Sequence, residues 1–290
     1  MSKNMRLSIE DIHPHLRYIN LFQCRPCFKT GFRRIYDQYF LYVHKGKGII
    51  TIEDSSYNAV SGDLFFCPPG ISNSVEADYE NPFLLTGINF DFTYNHRTNS
   101  LMYPIDAEMF NPANVTEYIN FTDFEGFPNK ISLPEDESIR MAIYTMINEF
   151  NLKKKHYNTY LNGILQGLII NVVQRARLLE LGIENRTRMD EIIHYLMENY
   201  AKDLTNASVA RIFHYHPEYI SRIVFTYTGL TLKQYIIDLR IRASLNMLIH
   251  SNMDIKAISY NVGYDNLQYF YRIFKKKTGY TPGNLRRKSR

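Results

Sequence analysis

The chain has no tryptophan and three cysteines among its 290 residues. Cys24, Cys27 and Cys67 are too few, and odd in number, for a disulfide framework, so a reducing compartment is expected. Cys24-Arg25-Pro26-Cys27 is a solitary CxxC. Without a second pair or a histidine partner it reads as ordinary thiols near a strand start rather than as a metal or redox site. Also missing is any run of 18 apolar residues, and the first ten residues lack the apolar stretch of a signal peptide. These absences argue against membrane association or secretion and for a cytoplasmic location.

Acidic residues are scarce in the C-terminal third. Through residue 185, 17 Lys and Arg face 21 Asp and Glu; from residue 186 onward 17 face 8. A basic segment joined to a slightly acidic one suits a polyanion-binding part attached to a part with another task, because attraction to phosphate grows with local Lys and Arg. A solvated basic surface has the same composition, so charge alone leaves both readings open.

From about residue 18 to 95, apolar residues alternate or form short β-rich runs between turn residues, as half-buried strands do. Residues 39–43, the turn Lys45-Gly46-Lys47-Gly48 and residues 49–52 read as a hairpin. Gly62-Asp63 opens a strand stopped at Pro68-Pro69-Gly70, and residues 83–92 form another. Strands at this spacing predict a small sandwich or barrel. After Pro134 the period changes. Ile139, Ala142, Ile143, Met146, Ile147 and Phe150 fall on one helical face, and Leu161, Ile164, Leu165, Leu168, Ile169, Val172, Val173 and Ala176 on another. Such a hairpin must cover its apolar stripes, either by packing on the β-domain or by dimerising. The expected division is therefore a β-domain over 1–133, a helical hairpin over 134–182, a polar linker over 183–188 and an all-α domain over 189–290.

Beyond Met189 the pattern is helical, with punctuation suited to short helices. Ile192, Ile193, Leu196 and Met197 mark the first. Thr205-Asn206 can cap a helix over 207–213, and after a turn at His214-Tyr215-His216, Pro217 opens another that ends at Gly229. Residues 232–249 predict a longer helix of about 27 Å. The layout then repeats: Asp254 caps a helix over 255–261, Val262-Gly263-Tyr264 makes a turn, and Asp265 caps a helix over 266–277 that stops at Gly279. Aligned on Gly229 and Gly279, Arg222 falls opposite Arg272 and Thr228 opposite Thr278. Each half, 205–227 and 254–277, thus has helix-turn-helix form, whose second helix can enter a DNA major groove about 12 Å wide.

Tyr235, Leu239-Arg240-Ile241, Ala243, Leu248, Ile255, Ile258, Gly263-Tyr264, Tyr269-Phe270, Arg272, Phe274-Lys275-Lys276, Thr278-Gly279-Tyr280-Thr281-Pro282 and Arg286 closely resemble the signature segment of the AraC/XylS transcriptional regulators. The resemblance covers about 100 residues. It implies double-stranded promoter DNA as a partner, nucleoid association when bound, and RNA polymerase as a further partner if the protein activates. Several positions depart from the family pattern: His214 stands for the usual turn glycine, His216 for a small cap, Val224 for a phenylalanine, Phe225 for a common lysine and Ser259 for an alanine. These changes bear on the first unit's DNA affinity more than on its fold. Expected base readers are Glu218, Ser221 and Arg222 in the first unit and Asn266, Gln268, Tyr271 and Arg272 in the second, since Arg suits guanine, Gln adenine and Glu cytosine. Either arginine could instead contact phosphate or pair within its helix, and Glu218 could simply favour a helix start. Lys275, Lys276, Lys277, Arg286 and Arg287 are expected phosphate contacts.

Residues 37–43, Gly46-Lys47-Gly48, Gly62-Asp63-Leu64 and Pro68-Pro69-Gly70 are similar to the cupin-type sensor domain often fused to this module. The whole is thus expected to be α+β: a cupin-like β-barrel with a helical hairpin, then an all-α domain with two helix-turn-helix units. Cupin enzymes hold a metal with His-x-His, Glu and a later His; here Gln38, Phe40 and Asn73 occupy those regions, so neither metal, cofactor nor catalysis is expected. A cavity would remain for a small effector, for which strand alternation nominates Arg34, Tyr36, Gln38, Asn89 and Asp91. The leading expectation is an effector-responsive, dimeric regulator, its ligand possibly a carbohydrate. The alternatives are a regulator whose β-domain serves only assembly, or a cupin enzyme with a DNA-binding appendix.

Overall fold

Short runs between turn residues build strands β1 (Asn4–Leu7), β2 (His15–Gln23), β3 (Arg33–Arg34), β4 (Gln38–Lys45), β5 (Lys47–Ile52), β6 (Ser55–Val60), β7 (Asp63–Cys67), β8 (Ser72–Ala77), β9 (Leu84–Asp91), β10 (Ile105–Asp106), β11 (Tyr118–Phe121) and β12 (Lys130–Ser132). The computed structural model describes residues 4–94, 105–106, 109–133, 136–180 and 186–288. The chain divides into two units, Met1–Ala176 and Arg177–Arg290.

In the first unit β12-β7-β4-β9-β2 form one sheet and β10-β3-β8-β5-β6 a second, while β1 pairs in parallel with β11. Leu41 and Val43 of β4, Phe65 and Cys67 of β7, Ile50 and Ile52 of β5, and Val75 and Ala77 of β8 share one core, so the two sheets face each other. The β4–β5 turn hinges on Gly46, whose φ of +88° and approach to the Pro82 carbonyl leave no room for a Cβ.

Alternation places Gln38, Phe40 and Tyr42 on the other face of β4. That face is buried as well. Phe40, Phe66, Phe90 and Phe92 meet Phe121, Phe124 and Phe127 in a cluster with ring centroids 4.8–6.0 Å apart. The expectation of half-buried strands thus fails for β4 and β9, because the chain after residue 109 returns to cover their second face.

Helices α1 (Glu137–Leu152) and α2 (Tyr157–Glu180) form the expected hairpin. Ile139, Ile143, Met146 and Ile147 are buried on α1, and Leu161, Leu165, Leu168, Ile169, Val172, Val173 and Ala176 on α2. Much of this stripe lies against the β-domain: Phe150 packs edge-on to Tyr18 of β2, and Asn162 and Gln166 bond the backbone of Leu16 and Ile12.

The second unit contains α3 (Arg186–Asn199), α4 (Asn206–Phe213), α5 (Pro217–Thr228), α6 (Leu232–His250), α7 (Ile255–Asn261), α8 (Leu267–Thr278) and α9 (Pro282–Lys288). Part of the expected linker, residues 181–185, lies outside the described residues; from Arg186 the chain is already helical. Thr205 and Thr231 close capping boxes with Ser208 and Gln234 at the starts of α4 and α6. Left-handed residues end three helices: His214 (φ 59°), Gly229 (φ 70°) and Gly279 (φ 79°). His214 therefore adopts the conformation for which the family pattern uses glycine. Asn266, not Asp265, caps α8, its Oδ1 accepting from the Tyr269 N–H at 2.9 Å.

Helix α6 serves two cores. Leu232 and Ile236 join Val209, Ile220, Ile223 and Val224 of the first helix-turn-helix, whereas Ile241 and Leu248 join Ile258, Phe270 and Phe274 of the second. Arg240, between them, donates to the carbonyls of Tyr200 (2.8 Å), Lys202 (2.9 Å) and Gly263 (2.7 Å) and lies over the Tyr264 ring. Gly263 has φ +92°, and a Cβ there would sit 2.2 Å from the Ala201 carbonyl oxygen. Gly263→Ala should therefore cost about 2 kcal/mol or more by combined strain and collision. Equilibrium denaturation of the α-helical unit's signal checks this; a loss below about 0.5 kcal/mol, the range of ordinary surface changes, would contradict it.

Candidate DNA-reading helices and effector cavity

Helices α5 and α8 present corresponding outer faces because corresponding residues are buried beneath them: Ile220 and Val224 under α5, Phe270 and Phe274 under α8. Arg222 is exposed and lies over the Tyr219 ring at 5.9 Å; Arg272 repeats this over Tyr269 at 5.2 Å. Each aromatic face braces its guanidinium without using up its N–H donors. The two helices end alike, with Thr228 and Thr278 donating to Val224 and Phe274 carbonyls and accepting from Leu230 and Tyr280 N–H groups.

The expected base readers fare unevenly. Glu218, Arg222, Gln268 and Arg272 are exposed, while Ser221 and Tyr271 are half-buried. Asn266 is exposed but has its carboxamide oxygen committed to the cap, which leaves only the amide to donate outward. Among the expected phosphate contacts, Lys275 and Lys276 are exposed in the last turn of α8, and Lys277 lies 3.9 Å from Asp238 of α6. Arg287 bonds the Asn284 side chain. Arg286 is half-buried, with its Nε and Nη2 shielded from solvent where α9 packs Leu285 onto the second core. Helix α9 itself went unread in the sequence, although Thr281 followed by Pro282 is a helix-start signal.

The first unit differs where α8 carries Lys275, Lys276 and Lys277. The corresponding residues of α5 are Phe225, Thr226 and Tyr227, with Phe225 59% exposed. A cationic last turn exists in one reader and is missing from the other. His216 does cap α5, through Nδ1 to the Glu218 N–H at 3.5 Å, a long contact beside the 2.9 Å bond of Asn266. Ser259, the other departure, is buried and donates to the Tyr264 carbonyl at 3.2 Å, which fastens the second turn.

In the first unit a cavity of about 310 Å³ opens between the two sheets. Phe22, Phe28, Leu41, Val75 and Leu85 supply its apolar wall, and Asn20, Arg33, Asp37, Tyr39 and Asn89 its polar groups. Of the five residues nominated from alternation, Asn89 lines it. Arg34, Tyr36 and Gln38 do not: they face the returning chain, with Arg34 donating to the Gly70 carbonyl, Tyr36 stacked on Phe110, and Gln38 donating to the Glu117 carbonyl. Asp91 sits one step behind the wall, bonded by Arg17 Nε at 2.6 Å, the same nitrogen being 3.8 Å from Asp37. Arg33, Asp37 and Tyr39 were missed by a register error of one residue, and on β4 the burial of both faces removes the alternation that would have set the register. Gly87 makes room for the Tyr39 hydroxyl; a Cβ would lie 2.5 Å from it. Among the described residues, no group of three or more His, Cys, Asp or Glu gathers in a way that could hold a metal.

Burial pushes the Asp37 carboxyl up to about 6, against the hydrogen bond from Asn89 and the charge of Arg17, which lower it. The folded chain then holds this proton to higher pH than the unfolded chain does. Asp37 therefore withdraws stability as pH rises from about 4 to 6, and its effect is constant above that. The stability of Asp37→Asn relative to the parent chain should rise across this window and then level off, as denaturant titrations at successive pH values would read. A difference flat from pH 4 to 7 would rule this out.

Two family models match the chain, an AraC-like ligand binding domain over residues 31–98 and a helix-turn-helix domain over residues 209–288. The first spans β3 to β9 with the cavity's polar groups Arg33, Asp37 and Tyr39, and the second spans α5 and α8. The chain belongs to the AraC/XylS family of regulators. Relatives include the HTH-type transcriptional regulator YtdP of Bacillus subtilis, 36% identical over 55% of this chain and 20% of that protein. AdaA of the same organism, a bifunctional transcriptional activator and DNA repair enzyme, is 38% identical over 35% of this chain and 48% of its own length. The Msm operon regulatory protein of Streptococcus mutans is 22% identical over 87% of this chain and 85% of that one. The chain thus spans less than half the length of the first two.

Proposed function

We propose that the chain is a sequence-specific transcriptional regulator that reads double-stranded promoter DNA through α5 and α8 and responds to a small molecule held between its β-sheets. The observation that carries the reading is the repeated Tyr-Arg pair, Tyr219 with Arg222 and Tyr269 with Arg272, on the exposed faces of two helices that α6 joins. At 19 residues α6 is about 28 Å long, close to the roughly 34 Å of one DNA turn, which suits entry into successive major-groove segments. Arg272 and Gln268 are assigned to base edges, Lys275 and Lys276 to phosphates. Homodimerisation and contact with RNA polymerase belong to the same proposal, as does a location with the DNA in the cytoplasm. The proposal assigns the chain no catalytic step.

A variant of the proposal, in which the β-domain serves only assembly, is disfavoured by the cavity itself. Its buried Asp37 and Asn89, with Arg33 beside them, are costly to keep in a domain that merely packs.

Two substitutions separate base reading from phosphate binding, using fragments found by immunoprecipitation and sequencing. Arg272→Ala should weaken binding to the specific site by about 1–3 kcal/mol and relax preference at one base pair, with little effect on random DNA. Lys275→Ala combined with Lys276→Ala should weaken binding to both and reduce the salt slope by roughly 2. Fluorescence anisotropy titrations over a range of salt concentrations supply both numbers. Equal weakening on both DNAs by Arg272→Ala would reassign it to phosphate.

A further inference from the structure

The cavity between the sheets contains a cation without a counter-ion. Arg33 stands on β3 opposite Asn73 of β8, which is 2% exposed. Asn73 accepts from Arg33 Nε and donates to the Arg33 carbonyl, both at 3.3 Å, so the side chain is aimed by a residue that cannot itself move. The guanidinium also hydrogen-bonds the Tyr39 side chain, which leaves the rest of its five N–H donors for something else. Asp37, on the same cavity wall, is occupied by Asn89 at 2.8 Å and by Arg17 at 3.8 Å, and no carboxylate among the described residues pairs with Arg33. The other ionisable groups that feel its charge are uncharged at neutral pH: burial pushes Tyr39 up to about 12, Cys67 to about 12 and Cys24 to about 11. A half-buried guanidinium held this way is suited to two parallel hydrogen bonds with a carboxylate.

We propose, building on the effector reading above, that the effector is a hydroxylated carboxylic acid of monosaccharide size, its carboxylate bound by Arg33 and its hydroxyls by Asn20, Asp37 and Asn89. A neutral sugar would leave Arg33 desolvated and unpaired, which costs more than a matched ion pair. A phosphate dianion is disfavoured because, among the described residues, Arg33 is the one cationic side chain on the lining while Asp37 contributes a negative one. The apolar wall, Phe22, Phe28 and Leu41 among it, would take the carbon-bearing face of such a molecule.

The test compares acids with their neutral parents on the full chain by calorimetry: D-glucuronate against D-glucose, D-galacturonate against D-galactose, and D-gluconate against D-sorbitol. At least one acid should bind about tenfold or more tightly than its neutral partner. Arg33→Gln should abolish that preference, and Arg33→Lys should keep part of it, with thermal unfolding confirming that both variants fold. Neutral sugars binding as tightly as the acids would overturn the acid assignment while leaving the effector reading intact. The same holds if Arg33→Gln retains the preference. Failure of every acid while a structurally unrelated metabolite shifts the unfolding temperature would likewise remove only this inference; failure of all small molecules would remove both.

Discussion

Arg240 joins pieces of the helical unit that lie far apart in the chain. Its guanidinium collects three backbone carbonyls, two from the segment after α3 and one from the turn of the second helix-turn-helix. Left without it, those oxygens would crowd one another with their lone pairs unmatched, a costly arrangement away from water. Gly263 is the complementary constraint: the segment at Ala201 can approach only because nothing projects from that turn. Together they attach the second helix-turn-helix to the end of α3, and α6, whose two halves lie in different cores, sets the separation of the readers.

From that scaffold follows an asymmetry. The readers share their Tyr-Arg pairs and Thr-based endings, so their geometry is alike, but α8 ends in three lysines and α5 in Phe-Thr-Tyr. Nonspecific attraction to DNA depends on cationic contacts with phosphate, whereas discrimination depends on side chains at base edges. Under the proposed function the second reader is equipped for both tasks. The first presents Arg222 and Glu218 on its exposed face but has an aromatic where the second has its first lysine, so under the proposed function it depends on its neighbour for attachment to phosphate.

The β-domain obeys a different constraint, the burial of β4 on both faces. One face joins the inter-sheet core and bears Tyr39 and Leu41 at the cavity; the other meets the phenylalanine cluster around Phe127. Placing an arginine and an aspartate beside such a core is expensive, and the structure answers with Asn73 aligning Arg33 and with Asn89 and Arg17 flanking Asp37. Asp91 matters through Arg17 rather than by touching the cavity.

Much of this was legible in the sequence. The helical period, the capping residues and the Gly229 and Gly279 stops located α4 through α8 to within about a residue, because caps and left-handed glycines act locally. The exposed positions of Arg222 and Arg272 were legible for the same reason: on a helix, spacing alone determines the face. Strand β4 and the segment leading into it offered no such guide. When both faces are apolar, alternation no longer distinguishes inside from outside, and a shift of one residue exchanged Arg33, Asp37 and Tyr39 for Arg34, Tyr36 and Gln38. Asp265 was likewise read as a cap that Asn266 provides, since both side chains can cap and only the path of the turn chooses. The sequence by itself determined the family, the two helix-turn-helix units and their unequal charge, all set by local spacing and composition. Which strand face lines the cavity, and which carbonyls Arg240 gathers, depended on contacts between segments far apart in the chain, and only the tertiary structure decided them.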